Sequence, residues 1–407
     1  MTDATQSVDG SGVAVLHRVP WSITPLDEWL HPILPQVTLL TSEDVAGEYA
    51  ERMSAVVPFS AYATNYAVAE TLRGLCSSGA VGRIVHVAET DVLRAAQLRD
   101  EFDLPGIRTR AAVAYRDKVA MKQQVATAGI ATPRFLAPAS RAEASRFAAD
   151  TGYPVVVKPR LGVGSRSVEI ACDRSALMGH IPEGGDDLLI EEYVEGRMLH
   201  ADGFMSEGEV LFVAVSEYVN DCLAYREGVP LGSVQVDRSR PQFARMAEFT
   251  RRVVGALPPT DFSPFHLEAF VRADGELVFC EIACRLGGGY IMDTLGMAIG
   301  ENPAAIAIRH QAGVVDGNAI CFDAAPGNHG FLLVPPRAGR LLGIERPAAR
   351  PWLTDFHVTC AGSREFKGAS ASGEFVCAFV VSTPSEDETR EALAECFALA
   401  AECVRWE

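Results

Sequence analysis

From Val13 to about Arg110, short apolar runs alternate with helical stretches such as YAVAETLRGL at 66–75. The runs are VAVLH at 13–17, VTLL at 37–40, SAVVP at 54–58 and RIVHVA at 83–88. Alternation of this kind predicts a small parallel α/β domain. The period then changes. RDKVAMKQQVATAGI puts Met121, Val125 and Ala128 on one helical face, with Asp117 near the start and Gly129 past the end. A second helix begins at Ser140, where Ser140 and Glu143 have capping-box spacing and Gly152 follows the last turn. GYPVVVKPRLGVGSRSVEIA reads as a strand, a Gly-rich turn and another strand, and DLLIEEYVEG at 187–196 as a strand ending on glycine.

HADGFM at 200–205 and EVLFVAVSEYV at 209–219 flank the turn residues Ser206, Glu207 and Gly208, which predicts an antiparallel hairpin. Residues 220–240 lack periodicity and carry Gly and Pro, so they read as a long loop, either functional or disordered. A helix over 241–256, a hairpin over 264–285, a helix near 300–312 and a further α+β stretch follow. That stretch closes on SEDETREALAECFALAAECV, with Ser385 and Glu388 as another capping box. Residues 1–12, small, polar and acidic, read as a flexible tail. The chain shows no internal repeat.

Its 407 residues predict two to three domains at about 150 residues each. The formal charge of −17 disfavours a nucleic-acid backbone or an anionic membrane surface, so an anionic ligand must be met by a few local cations. No apolar run approaches the roughly 20 residues of a membrane span, and the N-terminus has neither a basic nor an apolar leader segment. A cytoplasmic protein is expected. The ten cysteines are scattered without a CxxC pair, which fits reduced, mostly buried thiols.

The most informative local geometry is FHLEAFVRADGELVFCEIACR. A two-residue turn at Asp274-Gly275 pairs residues whose numbers sum to 549, so Glu268 faces Glu281. At a non-hydrogen-bonded position their Cβ atoms approach within about 4.5–5.5 Å. Period-2 alternation puts His266, Glu268, Phe270 and Arg272 on one face with Phe279, Glu281, Ala283 and Arg285. Cys280 and Ile282 fall on the opposite, apolar face. Two facing carboxylates are most simply explained by a bridging divalent cation, the alternative being a solvated strand edge.

In VVVKPRLGVGSRSV a lysine, Lys158, ends a buried strand and enters a turn with Gly162, Gly164, Ser165 and Ser167. Such a turn presents N–H groups and hydroxyls to phosphate oxygens, although an ordinary hairpin reads equally well. Lys118 and Lys122 lie one helical turn apart just before it, a spacing usual for a solvated face.

In this order DLPGIRTRAAVAYRDKVAMK, AGIATPRF, GYPVVVKPRLGVGSRSV, LIEEYVEG, HLEAFV and CEIACRLGGG resemble the ATP-grasp superfamily, and within it the carboxylate-amine ligases of the L-amino-acid ligase type. The resemblance covers about 80–315. It implies a mixed α/β fold with a Rossmann-like pre-ATP-grasp domain over 13–112, a lid region over 113–196 and a C-terminal α+β region over 197–407. It also implies that Lys118 and Lys158 contact ATP phosphates, that Gly164, Ser165 and Ser167 close over them, and that Glu191, Val194 and Glu195 hold the nucleotide at the adenine hinge. Glu268 and Glu281 would bind magnesium (or manganese), as two ions. Arg285 would steady the acyl-phosphate and act in catalysis with Lys158 and Glu281. Two positions depart from the family: Ala283 stands where an Asn ligand is usual, and Met198 where a ribose-binding Glu is usual.

The resemblance implies a soluble homodimer that joins a small carboxylate, such as an amino acid, to an amine. The acid attacks the γ-phosphoryl group, and the amine then displaces phosphate. Three other readings compete. One is a carboxylase-like ligase sharing the same ATP residues, and another is a non-catalytic ATP-binding protein, suggested by Ala283 and Met198. The third is a zinc hydrolase built on His266, Glu268, Cys280 and Glu281, which strand parity at Cys280 and the lack of an HExxH pattern disfavour. The other histidines read as structural, with His200 a possible ribose neighbour.

Overall fold

The computed structural model describes residues 11–182, 187–360 and 362–407. The tail expected over 1–12 lies outside the described residues as far as residue 10, and Gly12 already opens the first strand.

Strands Gly12–Leu16, Val37–Ser42, Val56–Phe59 and Val81–His86 pair in parallel, in spatial order third, second, first, fourth. Both faces of this sheet are covered. Val13, Val15 and Leu39 pack on one side with Leu26, Leu30 and Ile308, while Ala14, Leu16 and Leu40 pack on the other with Val68, Leu72 and Ala95. Burial on both faces is why these strands read as unbroken apolar runs.

A second sheet, antiparallel, is built from Phe135–Leu136, Leu188–Glu192, Val155–Pro159 and Glu169–Ala171 in that spatial order. Helices Arg141–Thr151 and Arg174–His180 cover one face, burying Val155, Val157 and Ile190. Ser140 caps the first through Glu143 N at 3.2 Å, and Glu143 reaches back to Ala139 N at 2.7 Å. By alternation Val156, Lys158, Ile170 and Glu191 share the opposite face, where Val156 pairs with both Glu191 and Ile170.

The third sheet has eight antiparallel strands. In spatial order they are Leu277–Ala283, Ser263–Val271, Arg197–Ser206, Glu209–Tyr218, Leu231–Gln235, Asn328–Val334, Cys377–Thr383 and Leu353–Val358. Leu199, Ala201, Val213, Val215, Leu267 and Ala269 on one face meet helices Lys118–Thr127 and Pro241–Ala256. Farther along, Glu386–Cys403 packs on Val234 and Leu332. The opposite face carries the polar residues His200, Asp202, Ser216, Tyr218, Ser233 and His266, all buried. A small sheet of Arg364–Lys367, Ala338–Ile344 and Val404–Trp406 completes the fold. No helix among the described residues is long and apolar enough to cross a membrane, and all ten cysteines are free.

Three sequence expectations change. Residues 220–240 are not one loop, because Leu231–Gln235 is an interior strand with all five residues buried. Burial from both sides removes the alternation that marks a strand, and a Cβ at Gly232 would sit 3.2 Å from Val219 and 3.3 Å from Leu332. A helix, Ile291–Ile299, lies ahead of the one expected near 300–312, which spans Pro303–Gln311.

The turn of the glutamate hairpin also differs. Arg272 N donates to Glu276 O at 3.0 Å, so three residues form the loop and Gly275 adopts φ +85°. Near the turn partners therefore sum to 548, as in Phe270 with Val278. A bulge between Glu268 and Ala269 then restores 549, and Glu268 does face Glu281. Between the turn and the bulge the faces change places. Phe279 joins the apolar core, its N–H bonded to Ala131 O at 2.8 Å, and Cys280 turns to the polar side. The expected placement of Cys280 in the core and Phe279 beside the glutamates is thus reversed.

Candidate active site

Between the polar face of the large sheet and the inner face of the second sheet lies a cavity of about 460 Å³. Lys118, Lys158, Gly164, Ser165, Glu191, Val194, Glu268 and Glu281 all line it, whereas Ser167 and Glu195 do not. Arg285 stands outside it, beside a smaller cavity with Cys284 and Arg99.

Helix Lys118–Thr127 delivers the first lysine. Asp117 caps it by accepting from Val119 N at 2.9 Å, and the same carboxylate holds Arg160 at the entrance of the Gly-rich turn. Lys118 Nζ consequently reaches Gly162 O at 2.8 Å and Glu281 Oε2 at 3.1 Å. Burial opposes ionisation of Glu281, but Lys118 and Lys158 outweigh it and hold the carboxyl down to about 2.

Lys158 and Lys122 converge on Glu191, with Nζ to carboxylate oxygen distances of 2.5 and 3.1 Å. The helical spacing of Lys118 and Lys122 suggested a solvated face, yet Lys122 is 0% exposed. Burial lowers its pKa despite Glu191, whereas Lys158 is raised, burial being overcome by Glu191. Two buried ammoniums share one buried carboxylate. Glu191 thus lines the cavity with both carboxylate oxygens engaged by lysines, and the hinge backbone through Val194 lines it beside them.

In the Gly-rich turn, Gly164, Ser165 and Ser167 have φ of +60°, +56° and +55°. Left-handed residues turn N–H groups together, the arrangement of an anion-binding nest. The turn is tied down from later parts of the chain, Ser372 N donating to Gly164 O at 3.2 Å and Tyr225 hydroxyl to Ser165 O at 3.3 Å. Hydrogen exchange over residues 160–168 is expected to slow when an ATP analogue and magnesium are added. Unchanged exchange there would remove the turn from the site.

Glu268 receives Tyr218 hydroxyl on Oε1 at 3.0 Å, with His266 Nε2 3.4 Å from the same oxygen. Burial opposes protonation of His266, but Asp202 and Glu268 together push it up to about 10. Burial likewise opposes ionisation of Asp202, which His266 and His200 hold down to about 2. Cys280 also lines the cavity, its thiol pushed up to about 12 by burial. Two opposed carboxylates are hard oxygen donors, the set that magnesium or manganese takes. Arg285 is gripped by Glu89, which also meets Arg116 Nε at 3.3 Å, and donates to Leu286 O at 2.6 Å. Glu89 follows the last strand of the N-terminal sheet, a partner that no local motif announced. Tyr218 and Asp202 were missed for the same reason.

Residues 115–289, which carry the lysines, the Gly-rich turn and the paired glutamates, match the ATP-grasp domain family. The chain carries an ATP-grasp domain. Among named proteins it is 29% identical to the L-arginine-specific L-amino acid ligase of Bacillus subtilis, over 52% of this chain and 53% of that one. It is 28% identical to the carbamoyl phosphate synthase large chain of Mycobacterium sp. (strain JLS), over 38% of this chain and 14% of that one. The chain thus spans about half the length of the first relative and a small part of the second. The crystal structure of an L-amino acid ligase from Bacillus licheniformis superposes with a TM-score of 0.74 at 17% identity, covering 98% of this chain and 99% of that one. Phosphoribosylglycinamide synthetase from Anaerococcus prevotii gives 0.67 at 14% identity, with 98% and 99% covered. These likenesses show an ATP-grasp fold over nearly the whole chain.

Proposed function

We propose that this protein is an ATP-dependent carboxylate-amine ligase that joins an amino acid or related small acid to an amine, releasing ADP and phosphate. The observation that carries the reading is the convergence of Lys118, Lys158, Glu268 and Glu281 with the Gly-rich turn on one cavity. Its volume lies in the range of small-molecule sites. The relative from Bacillus subtilis, named for L-arginine, supports an amino acid as one substrate.

In this reading the acid's carboxylate oxygen attacks the γ-phosphorus and ADP leaves with the β–γ bridging oxygen. The amine nitrogen then attacks the acyl carbon, and phosphate departs as the amide forms and the nitrogen loses its proton. Lys158, fixed by Glu191, and Lys118, movable from Glu281, offset phosphate charge. Glu268 and Glu281 would hold magnesium, which when bound neutralises phosphoryl oxygens. The turn at 162–167 excludes water from the acyl-phosphate, and the hinge around Val194 takes the adenine. Arg285, which Glu89 holds beside the neighbouring cavity, would steady the acyl group. Two magnesium ions, a homodimeric state and a cytoplasmic location belong to the same proposal, and light scattering tests the dimer.

ADP release screened over pairs of amino acids, with mass spectrometry of products, tests the reaction. Amide products dependent on both partners are expected. ADP released with bicarbonate alone would replace this reading with a carboxylase. Arg285→Lys keeps the charge but loses the planar guanidinium, whose Nε meets Glu89 and whose Nη1 meets Leu286 O. It is expected to lower ligation at least about tenfold while ATP affinity changes little. An equal fall in ATP binding would make Arg285 a ground-state phosphate anchor.

A further inference from the structure

The polar face of the large sheet carries a buried hydrogen-bonded chain that the roles above leave unused. Ser233 Oγ meets His200 Nε2 at 2.7 Å, His200 Nδ1 meets Asp202 Oδ2 at 2.5 Å, and Asp202 Oδ1 meets His266 Nδ1 at 2.8 Å. His266 Nε2 then faces Glu268 Oε1 at 3.4 Å, the oxygen that also accepts from Tyr218. Strand register builds this chain. On adjacent strands His266 pairs with Asp202 and Glu268 with His200, two residues apart and so on one face. Burial is nearly complete, with His200 at 1%, Asp202 at 2% and His266 at 6% exposure.

Two histidines and an aspartate whose ligand atoms lie within 4.8 Å of one another suggest a metal site of their own. The contacts oppose that. An ion held at about 2.0–2.2 Å from each tetrahedral ligand spreads the ligands beyond 3 Å. Here the nitrogens and oxygens bond one another directly at 2.5 and 2.8 Å. The cluster is a hydrogen-bonded support, and it ends on a carboxylate that faces another carboxylate.

We propose that His266, anchored by Asp202 and assisted by Tyr218, is a positioning residue that commits Glu268 Oε1 to the protein and leaves Oε2 as the oxygen presented to the divalent cation. The inference rests on the reading of Glu268 as a metal ligand given above. Without the support, Glu268 would swing away from Glu281, since like charges opposed across a hairpin repel. With it, the carboxylate is held in place before the cation arrives, so less ordering remains for binding to supply.

The test measures manganese binding by electron paramagnetic resonance in the presence of a non-hydrolysable ATP analogue. It is run on the full chain and on His266→Gln, Asp202→Asn, Tyr218→Phe and Glu268→Gln. Metal-free analogue affinity and melting temperature are measured alongside. His266→Gln and Asp202→Asn are each expected to weaken manganese binding about tenfold or more. Metal-free nucleotide affinity should hold, and Tyr218→Phe should shift manganese binding in the same direction by less. If melting falls while manganese affinity stays at the wild-type value, the chain is only a core element and the inference is overturned. If Glu268→Gln itself binds manganese like wild type, the ligand assignment fails and the inference falls with it. If Glu268→Gln weakens binding and His266→Gln does not, the inference alone fails. Should His266→Gln not fold, Tyr218→Phe reads the same effect, and an unchanged manganese affinity in it would overturn the proposal.

Discussion

Glu191→Ala is expected to destabilise the protein by about 3–5 kcal/mol, the cost of leaving buried charge uncompensated. Glu191 is the carboxylate that both Lys122 and Lys158 contact, and Lys122 has no exposed surface. Removing it leaves two ammoniums in the interior, repelling each other with no anion between them. Lys122→Met acts differently. It removes the cation that burial already penalises and leaves a one-to-one pair of Lys158 with Glu191, so its cost should be below about 1.5 kcal/mol. The methionine would also pack on Phe279, over whose ring the ammonium lies 5.6 Å from the centroid. Adding Lys122→Met to Glu191→Ala should recover part of the loss. Urea unfolding of the three variants measures all of this. A cost below about 1 kcal/mol for Glu191→Ala would mean that the cavity hydrates both lysines.

Glu281→Ala is expected to lower kcat/KM for ATP-dependent ligation by about a thousandfold or more, some 4 kcal/mol of transition-state stabilisation. The loss should be specific to metal. Removing Glu281 frees Lys118, whose ammonium lies 3.1 Å from it, so metal-free nucleotide should bind as well as before or better. The fold should survive, because Lys118 also has Gly162 O and cavity solvent available. Calorimetric titration of ATP analogue with and without magnesium separates the two effects. Wild-type turnover at saturating magnesium would remove Glu281 from the site. Equal weakening of metal-free and metal-loaded nucleotide would mark it as a general structural residue instead.

The facing glutamates show how a sequence argument can reach the right pair through a wrong turn. A two-residue loop at Asp274-Gly275 was expected, but the loop has three residues and shifts the register by one. The bulge beyond Ala269 shifts it back. The pairing of Glu268 with Glu281 survives because these two displacements cancel. The faces of Phe279 and Cys280 do not, since both residues lie between the two irregularities. Whether a bulge forms there depends on Phe279 entering the core and on its N–H finding Ala131 O, a bond across some 150 residues of chain.

What the sequence determined by itself is what local chemistry controls. Strand and helix periods, the Asp117, Ser140 and Ser385 caps, and the left-handed glycines after helices depend on neighbours within a turn or two, and the structure keeps them. The Gly-rich turn after Lys158 belongs to the same class, as does the existence of the glutamate hairpin but not its bulge. Only the tertiary structure decided which charges meet. Lys122 looked like a surface residue because helical spacing says nothing of what packs above it, and it became buried when a strand some 70 residues later brought Glu191 over it. Arg285 took Glu89 from the N-terminal sheet, and His266 took Asp202 from a neighbouring strand, for the same reason. A buried charge must find its counter-charge wherever the fold supplies it, and that location is a property of the packed sheets rather than of any stretch of chain.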